Sequence, residues 1–276
     1  MIIAAVTRRI ALTSLLLQPA FHLTAAAAAL PPRLRVTLIR HGESENNILS
    51  EIGPSAYRAG RFADPPLTAL GKEQAEATSC YLSGQDCNAL IKNPDTIFVS
   101  PFLRTLQTSA PTTHKLPDAQ VVVWDDIFEV GGCHKDGKSL GGLTKGDVKK
   151  QFGYDTWYKE PSEAGWYNLP SKESKDVALM RIKGVAKELT SMAAECEKEG
   201  KDRCIYMVVH GDFIDYLLEA LMGIPTAGDQ TRTVFRTYNC GMTSFDLWGD
   251  GMIKVLWVNF MGHLAGLIKE GKLGTV

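Results

Sequence analysis

The stretch Leu34-Arg35-Val36-Thr37-Leu38-Ile39-Arg40-His41-Gly42-Glu43-Ser44 passes from a short β-rich run into a charged cluster. Three more runs behave alike. Thr96–Val99 leads into Ser100-Pro101-Phe102-Leu103-Arg104, and Val121–Trp124 leads to Asp125, Asp126 and Glu129. Ile205–Val209, nearly all apolar, leads into His210-Gly211; such a run suits a strand buried on both faces. Helical segments separate the runs. Thr68 caps one reaching toward Leu82, Ser100-Pro101 opens a second, Ser174 starts a long third, and Asp212–Met222 ends at Gly223. In the long segment Val177, Met180, Ile182, Val185, Leu189 and Met192 recur at helical spacing. Thr243–Trp248 and Ile253–Val258 read as two late strands joined by the Gly249-Asp250-Gly251 turn. Strands alternating with helices predict an α/β fold, a mostly parallel central sheet with helices on both faces. Gly131–Gly153 and the aromatic stretch Tyr154–Tyr167 predict an insertion covering one end of that sheet. No internal repeat is visible, and no linker splits residues 33–276.

The composition is that of an ordinary globular chain: 276 residues, 45% hydrophobic and 22% charged. A formal net charge of −1 gives no global basic field, so a nucleic-acid partner is not expected. The first 32 residues differ from the rest. They hold Arg8 and Arg9, an apolar run from Ile10 to Leu17 and the Ala25–Ala29 tract, and the first carboxylate of the chain is Glu43. Residues 1–32 therefore read as a targeting segment or signal peptide, addressing the chain to the secretory pathway, the exterior or an organelle. Once it is removed, no membrane association is expected. A retained anchor over Ile10–Leu30 is the other reading, weakened by Gln18, Pro19 and His22. Cys80 with Cys87, and Cys196 with Cys204, are close enough to form disulfides, and free thiols are the alternative. No Cys-x-x-Cys or His-x-x-x-His spacing supports a metal site.

Ligands of open α/β sheets bind beyond the carboxyl ends of the strands. Arg40, His41, Arg104, His210 and a carboxylate all follow strands, so in one parallel sheet they face one crevice. The set suits phosphoryl transfer. A neutral imidazole is a nucleophile toward phosphorus, guanidinium forks match phosphate oxygens, and neighbouring positive charge keeps the imidazole neutral. A carboxylic acid must protonate the leaving alkoxide and later activate water. Glu129 is the candidate, with Asp125 or Asp126 as alternatives. Such a site carries enough positive charge to work without a metal or other cofactor. Gly42 and Gly211, each after a histidine, are expected to let backbone approach a ligand. His22, His114 and His263 read as structural or surface residues, and Trp157, Tyr158, Trp166 and Tyr167 as packing.

Leu38-Ile39-Arg40-His41-Gly42-Glu43-Ser44, with Asn47 six residues after His41, resembles the signature of the histidine phosphatase superfamily. Pro66-Leu67-Thr68-Ala69-Leu70-Gly71, Ser100–Thr108, Val208-Val209-His210-Gly211, and Asn259 with His263-Leu264 resemble its later segments, in order. The resemblance implies a phosphoglycerate mutase-like three-layer sandwich over residues 33–276. It implies a phosphohistidine on His41, with Arg40, Arg104 and His210 around the phosphoryl group and Glu129 as proton donor. Asn47, Thr68 and Gly211 would lie at the substrate. Acid-phosphatase and phytase members carry a His-Asp pair at the second histidine. Here Gly211 separates His210 from Asp212, which puts the chain on the mutase-like branch. The Arg pair typical of mutases after the donor is missing, while Gly165-Trp166-Tyr167, Glu173-Ser174 and Arg181 resemble hydrolytic members. A phosphomonoester hydrolase acting on a phosphorylated small molecule or phosphoprotein is therefore expected. The alternatives are a mutase, for which Lys145, Lys149 and Lys150 could bind phosphate, and a non-catalytic binder of phosphorylated ligands. Natural substrate and oligomeric state stay open.

Overall fold

The computed structural model describes residues 30–84, 93–225 and 234–272. Residues 1–29 of the expected targeting segment lie outside the described residues, as does Cys87. In chain order the elements are β1 (Leu34–Arg40), α1 (Glu45–Ile52), α2 (Pro54–Gly60), α3 (Ala69–Leu82), β2 (Thr96–Val99), α4 (Leu103–Lys115) and β3 (Gln120–Val123). The short pair β4 (His134–Lys135) and β5 (Lys138–Ser139) follows, then α5 (Lys145–Phe152) and α6 (Lys175–Glu199). The chain closes with β6 (Arg203–Val209), α7 (Gly211–Leu221), β7 (Met242–Leu247), β8 (Ile253–Phe260) and α8 (Ala265–Lys269).

Among the described residues the main sheet has six strands in the order β3-β2-β6-β1-β7-β8. The first four run parallel, and β7 and β8 are antiparallel additions. The mostly parallel sheet expected from the alternation is therefore present. The two-residue period of a strand splits it between two cores. Leu34, Val36 and Leu38 of β1 and Ile205, Met207 and Val209 of β6 join Ile182, Val185 and Leu189 of α6 and Phe213 and Leu217 of α7. Ile39, Tyr206 and Val208 point the other way, into a core with Tyr81 and Leu82 of α3 and Leu106 of α4. Burial of each such large apolar side chain stabilises the fold by roughly 2 kcal/mol relative to exposure, so the central strands are apolar on both faces.

Local signals acted largely as expected. Thr68 Oγ1 accepts from Gly71 N and starts α3, Ser174 caps α6, and Gly200 ends α6 in the left-handed region with φ 68°. Three details differ. α4 starts at Leu103 with Phe102 at its N-cap, two residues later than Ser100-Pro101 suggested, because the Ser100 hydroxyl is bonded to His210. The buried stripe of α6 runs through Ala178, Ile182, Val185, Leu189, Ala193 and Cys196; Val177 and Met180 are 39% and 67% exposed. Ile182, Val185, Leu189 and half-buried Met192 face the core as expected; at the start of the helix Ala178 takes the place expected of Val177 and Met180. The Gly131–Tyr167 insertion does more than cover an end. Its Thr156 carbonyl accepts from Val123 N, and Tyr158 N donates to the Val123 carbonyl, which lengthens the sheet at its β3 edge. Tyr154 enters the α3–α4 core, while Trp166 and Tyr167 pack with Phe102, Phe128 and Cys133. Cys196 and Cys204 are both thiols, so the second disulfide candidate is not formed.

Candidate active site

Sheet register assembles the site. β1 and β6 pair Arg40 with Val209, so the next residue on each strand brings His41 beside His210. Their ring centroids are 5.3 Å apart. The His41 backbone is held by N–H donation to the Val209 carbonyl, and its own carbonyl accepts from Cys240 N and Asn239 Nδ2. β2 pairs Val99 with Val208 and delivers the turn before α4, whose second residue is Arg104.

The two imidazoles have different hydrogen-bond environments. His41 Nδ1 lies 2.7 Å from the Gly42 carbonyl, which can only accept, so Nδ1 carries the proton and Nε2 holds the lone pair. His41 is 3% exposed and lines a cavity of about 620 Å³. Burial, then Arg104 and Arg40, hold its pKa well below the ordinary 6.5, so the ring is neutral. His210 is fully buried and is not part of the cavity wall. Its Nδ1 accepts from Arg104 Nη2 at 3.0 Å, so Nε2–H donates to Ser100 Oγ at 2.7 Å. The resemblance put His210 on the phosphoryl group; the structure sets it beside His41 and bonds it to Arg104, which lines the cavity. The Arg104 guanidinium also lies 4.2 Å from the Phe102 ring centre, a further constraint on its plane. Arg40 lines the cavity too, and its Nη1 donates to the Thr237 carbonyl at 2.6 Å.

Glu129 follows a short 3-10 turn at Asp125–Ile127 and lines the same cavity. Its Oε1 accepts from Val130 N at 2.9 Å and from Phe213 N, in the first turn of α7, at 3.1 Å. Burial, then the nearby Asp212, push its carboxyl up to about 7, against the pull of Arg104 and Arg40. Asp125 and Asp126 line a separate groove beside Trp124 and Tyr158, where Asp126 pairs with Lys159. Neither alternative acid reaches the cavity.

Asn47 lines the cavity while its Oδ1 accepts from Ser44 N and Oγ at the start of α1. Gly211 also lines it; a Cβ there would sit 3.4 Å from Arg40 Nε. Gly42 serves another purpose than expected. A Cβ on it would lie 2.4 Å from the Gly71 carbonyl oxygen, so the glycine permits backbone contact within the protein rather than with a ligand. Thr68 is absent from the wall as well. Its hydroxyl caps α3 and donates to Glu43 Oε1 at 2.9 Å, a supporting position behind the site.

The wall also contains Asp212, one residue past Gly211, and three residues the strand-end pattern gave no reason to select: Tyr57, Arg61 and Arg236. Arg61 and Arg236 sit outside the strand ends that drew attention to Arg40 and Arg104. Lys145 and Lys149 pair with Glu160 and Asp155, and no lysine lines the cavity. His263 packs against Tyr81 and Phe260, as a structural histidine. Among the described residues no group of three or more His, Cys, Asp or Glu could hold a metal ion, and no helix is long and apolar enough to cross a membrane.

A neutral imidazole beside two buried arginines, with a buried carboxyl on the same cavity, makes a site suited to an anion. The chain belongs to the histidine phosphatase superfamily (branch 1), whose profile matches residues 36–259. No curated protein sequence matches it significantly. Its fold is similar to that of a mycobacterial glucosyl-3-phosphoglycerate phosphatase, with 20% identity, coverage of 82% of this chain and 98% of that one, and a TM-score of 0.51. It is also similar to the ecdysone phosphate phosphatase of Bombix mori, with 18% identity, coverage of 82% and 92%, and a TM-score of 0.53. A variant phosphoserine phosphatase of Entamoeba histolytica, in complex with phosphoserine, gives 21%, 84% and 99%, and 0.50.

Proposed function

We propose that this chain is a phosphomonoesterase that works through a phosphohistidine on His41, with Glu129 as acid and then base. The observation that carries the reading is the His41 tautomer: Nδ1–H is committed to the Gly42 carbonyl, leaving an Nε2 lone pair in a cavity that Arg40 and Arg104 also line. The Nε2 lone pair attacks phosphorus as the bond to the leaving oxygen breaks. The Glu129 proton passes to that oxygen, and the alcohol departs. The Glu129 carboxylate then takes a proton from water as its oxygen attacks phosphorus and the N–P bond breaks. Phosphate leaves with Glu129 again protonated. Arg40 and Arg104, held in place before the reaction, stabilise the charge on the transferring group.

Hydrolysis is favoured over mutase chemistry because none of Lys145, Lys149 and Lys150 lines the cavity, and the first two pair with Glu160 and Asp155. The wall adds Arg61 and Arg236, which favours a substrate whose remainder carries an anionic or strongly polar group. Comparing the chain with His41→Ala on p-nitrophenyl phosphate tests the reading: loss of turnover supports it, and equal turnover overturns it. Supplying 3-phosphoglycerate with a bisphosphoglycerate primer separates the two reactions, since isomerisation faster than phosphate release would make the chain a mutase.

A further inference from the structure

The loop that carries Glu129 is held from outside the cavity by a buried ion pair on α6 and the segment before it. Arg181 and Glu173 meet in a bidentate pair of hydrogen bonds: Nε donates to Oε1 at 2.8 Å and Nη2 to Oε2 at 2.8 Å. Their side chains are 10% and 0% exposed. The remaining guanidinium nitrogen, Nη1, donates to the carbonyls of Asp126 at 2.6 Å and Phe128 at 3.1 Å. The guanidinium carbon lies 3.5 Å from the Phe128 ring centre. Glu173 grips the other side of the loop, where its N–H donates to the Gly131 carbonyl at 3.0 Å and its Oε2 accepts from Gly131 N at 3.4 Å. Tyr167 adds a donation from its hydroxyl to the same Gly131 carbonyl at 3.3 Å.

The residues gripped are Phe128 and Gly131, which bracket Glu129 on either side. Neither Arg181 nor Glu173 lines the cavity, so neither touches substrate. A buried ion pair is weak evidence for stability, because loss of hydration offsets much of its attraction. Its geometry here serves direction: four hydrogen bonds from one planar fork fix two carbonyls and a partner carboxylate while the fork lies against a ring, which a lysine cannot reproduce.

We propose that Arg181 and Glu173 are positioning residues that hold the Glu129 carboxyl on the leaving-group oxygen. The proposal rests on Glu129 being the proton donor, and its test separates the two claims. Phenyl and p-nitrophenyl phosphate have similar shapes, but phenolate, a base like the tyrosine side chain with a pKa near 10, needs protonation far more than p-nitrophenolate. The readout is the ratio of kcat/KM for phenyl phosphate to that for p-nitrophenyl phosphate. This ratio does not depend on how much of a variant is folded. For Arg181→Lys and Glu173→Gln the ratio is expected to fall on the order of 30-fold, since small displacements of a catalytic group cost about that much. Glu129→Gln should lower it further, on the order of 100-fold or more. A fall in Glu129→Gln with an unchanged ratio in both clamp variants overturns the clamp alone. An unchanged ratio in Glu129→Gln overturns the donor assignment beneath it.

Discussion

Replacing Glu129 with glutamine is expected to strengthen the fold at alkaline pH while removing activity. The Glu129 carboxyl is pushed from an ordinary 4.5 up to about 7, first by burial and then by Asp212. A carboxyl whose pKa is higher in the folded than in the unfolded chain favours folding when protonated. That contribution is complete below about 4.5 and is lost as pH rises through about 7. The gap corresponds to at most about 3 kcal/mol. Glutamine keeps an oxygen to accept from Val130 N and Phe213 N but cannot ionise. Urea unfolding at pH 5 and pH 8 is the assay. Between the two, wild type should lose about 2 kcal/mol more than Glu129→Gln, so the variant is the more stable protein at pH 8. The same pH dependence in both proteins would refute the argument that the folded site holds this carboxyl in an unfavourable ionised state above neutrality.

The descending limb of kcat/KM for phenyl phosphate is expected near pH 7, where Glu129 loses its proton, and Asp212→Asn should move it to lower pH by removing a repelling charge; pH–rate profiles of both proteins check this. Thr68→Ala removes the α3 cap, so unfolding measurements should show a loss of about 1 kcal/mol while KM stays within about twofold. Arg236→Ala should raise KM about tenfold for a phosphomonoester that also carries a carboxylate, and leave KM for p-nitrophenyl phosphate nearly unchanged. Steady-state kinetics on the two substrates decides it.

The strand ends were legible because each combines two independent signals: an apolar run with period-two or full burial, and an abrupt change to Arg, His or Glu. Parallel pairing then forces those ends together, which is why His41, Arg40, Arg104 and Glu129 line one cavity as the spacing suggested. What the sequence hid depends on side-chain direction. Nothing in the chain announces that His210 turns its two nitrogens toward Ser100 and Arg104. Nor does it show that Thr68 spends its hydroxyl on Glu43 and Gly71. Arg61 and Arg236 reach the wall from segments without strand or helix periodicity, where no pattern fixes orientation. The α6 stripe was right at Ile182, Val185, Leu189 and Met192 and missed Ala178 and Ala193, because a search for large apolar residues passes over small ones.

Rapid quenching of the chain with a 32P-labelled phosphomonoester, followed by isolation of the labelled peptide and assignment of the phosphorylated ring nitrogen, addresses the central claim directly. The label should be acid-labile and alkali-stable and should sit on His41 at Nε2, the nitrogen left without a proton by the Gly42 bond. Label on another residue, label on Nδ1, or turnover with no labelled protein under conditions that trap the first step would contradict the account.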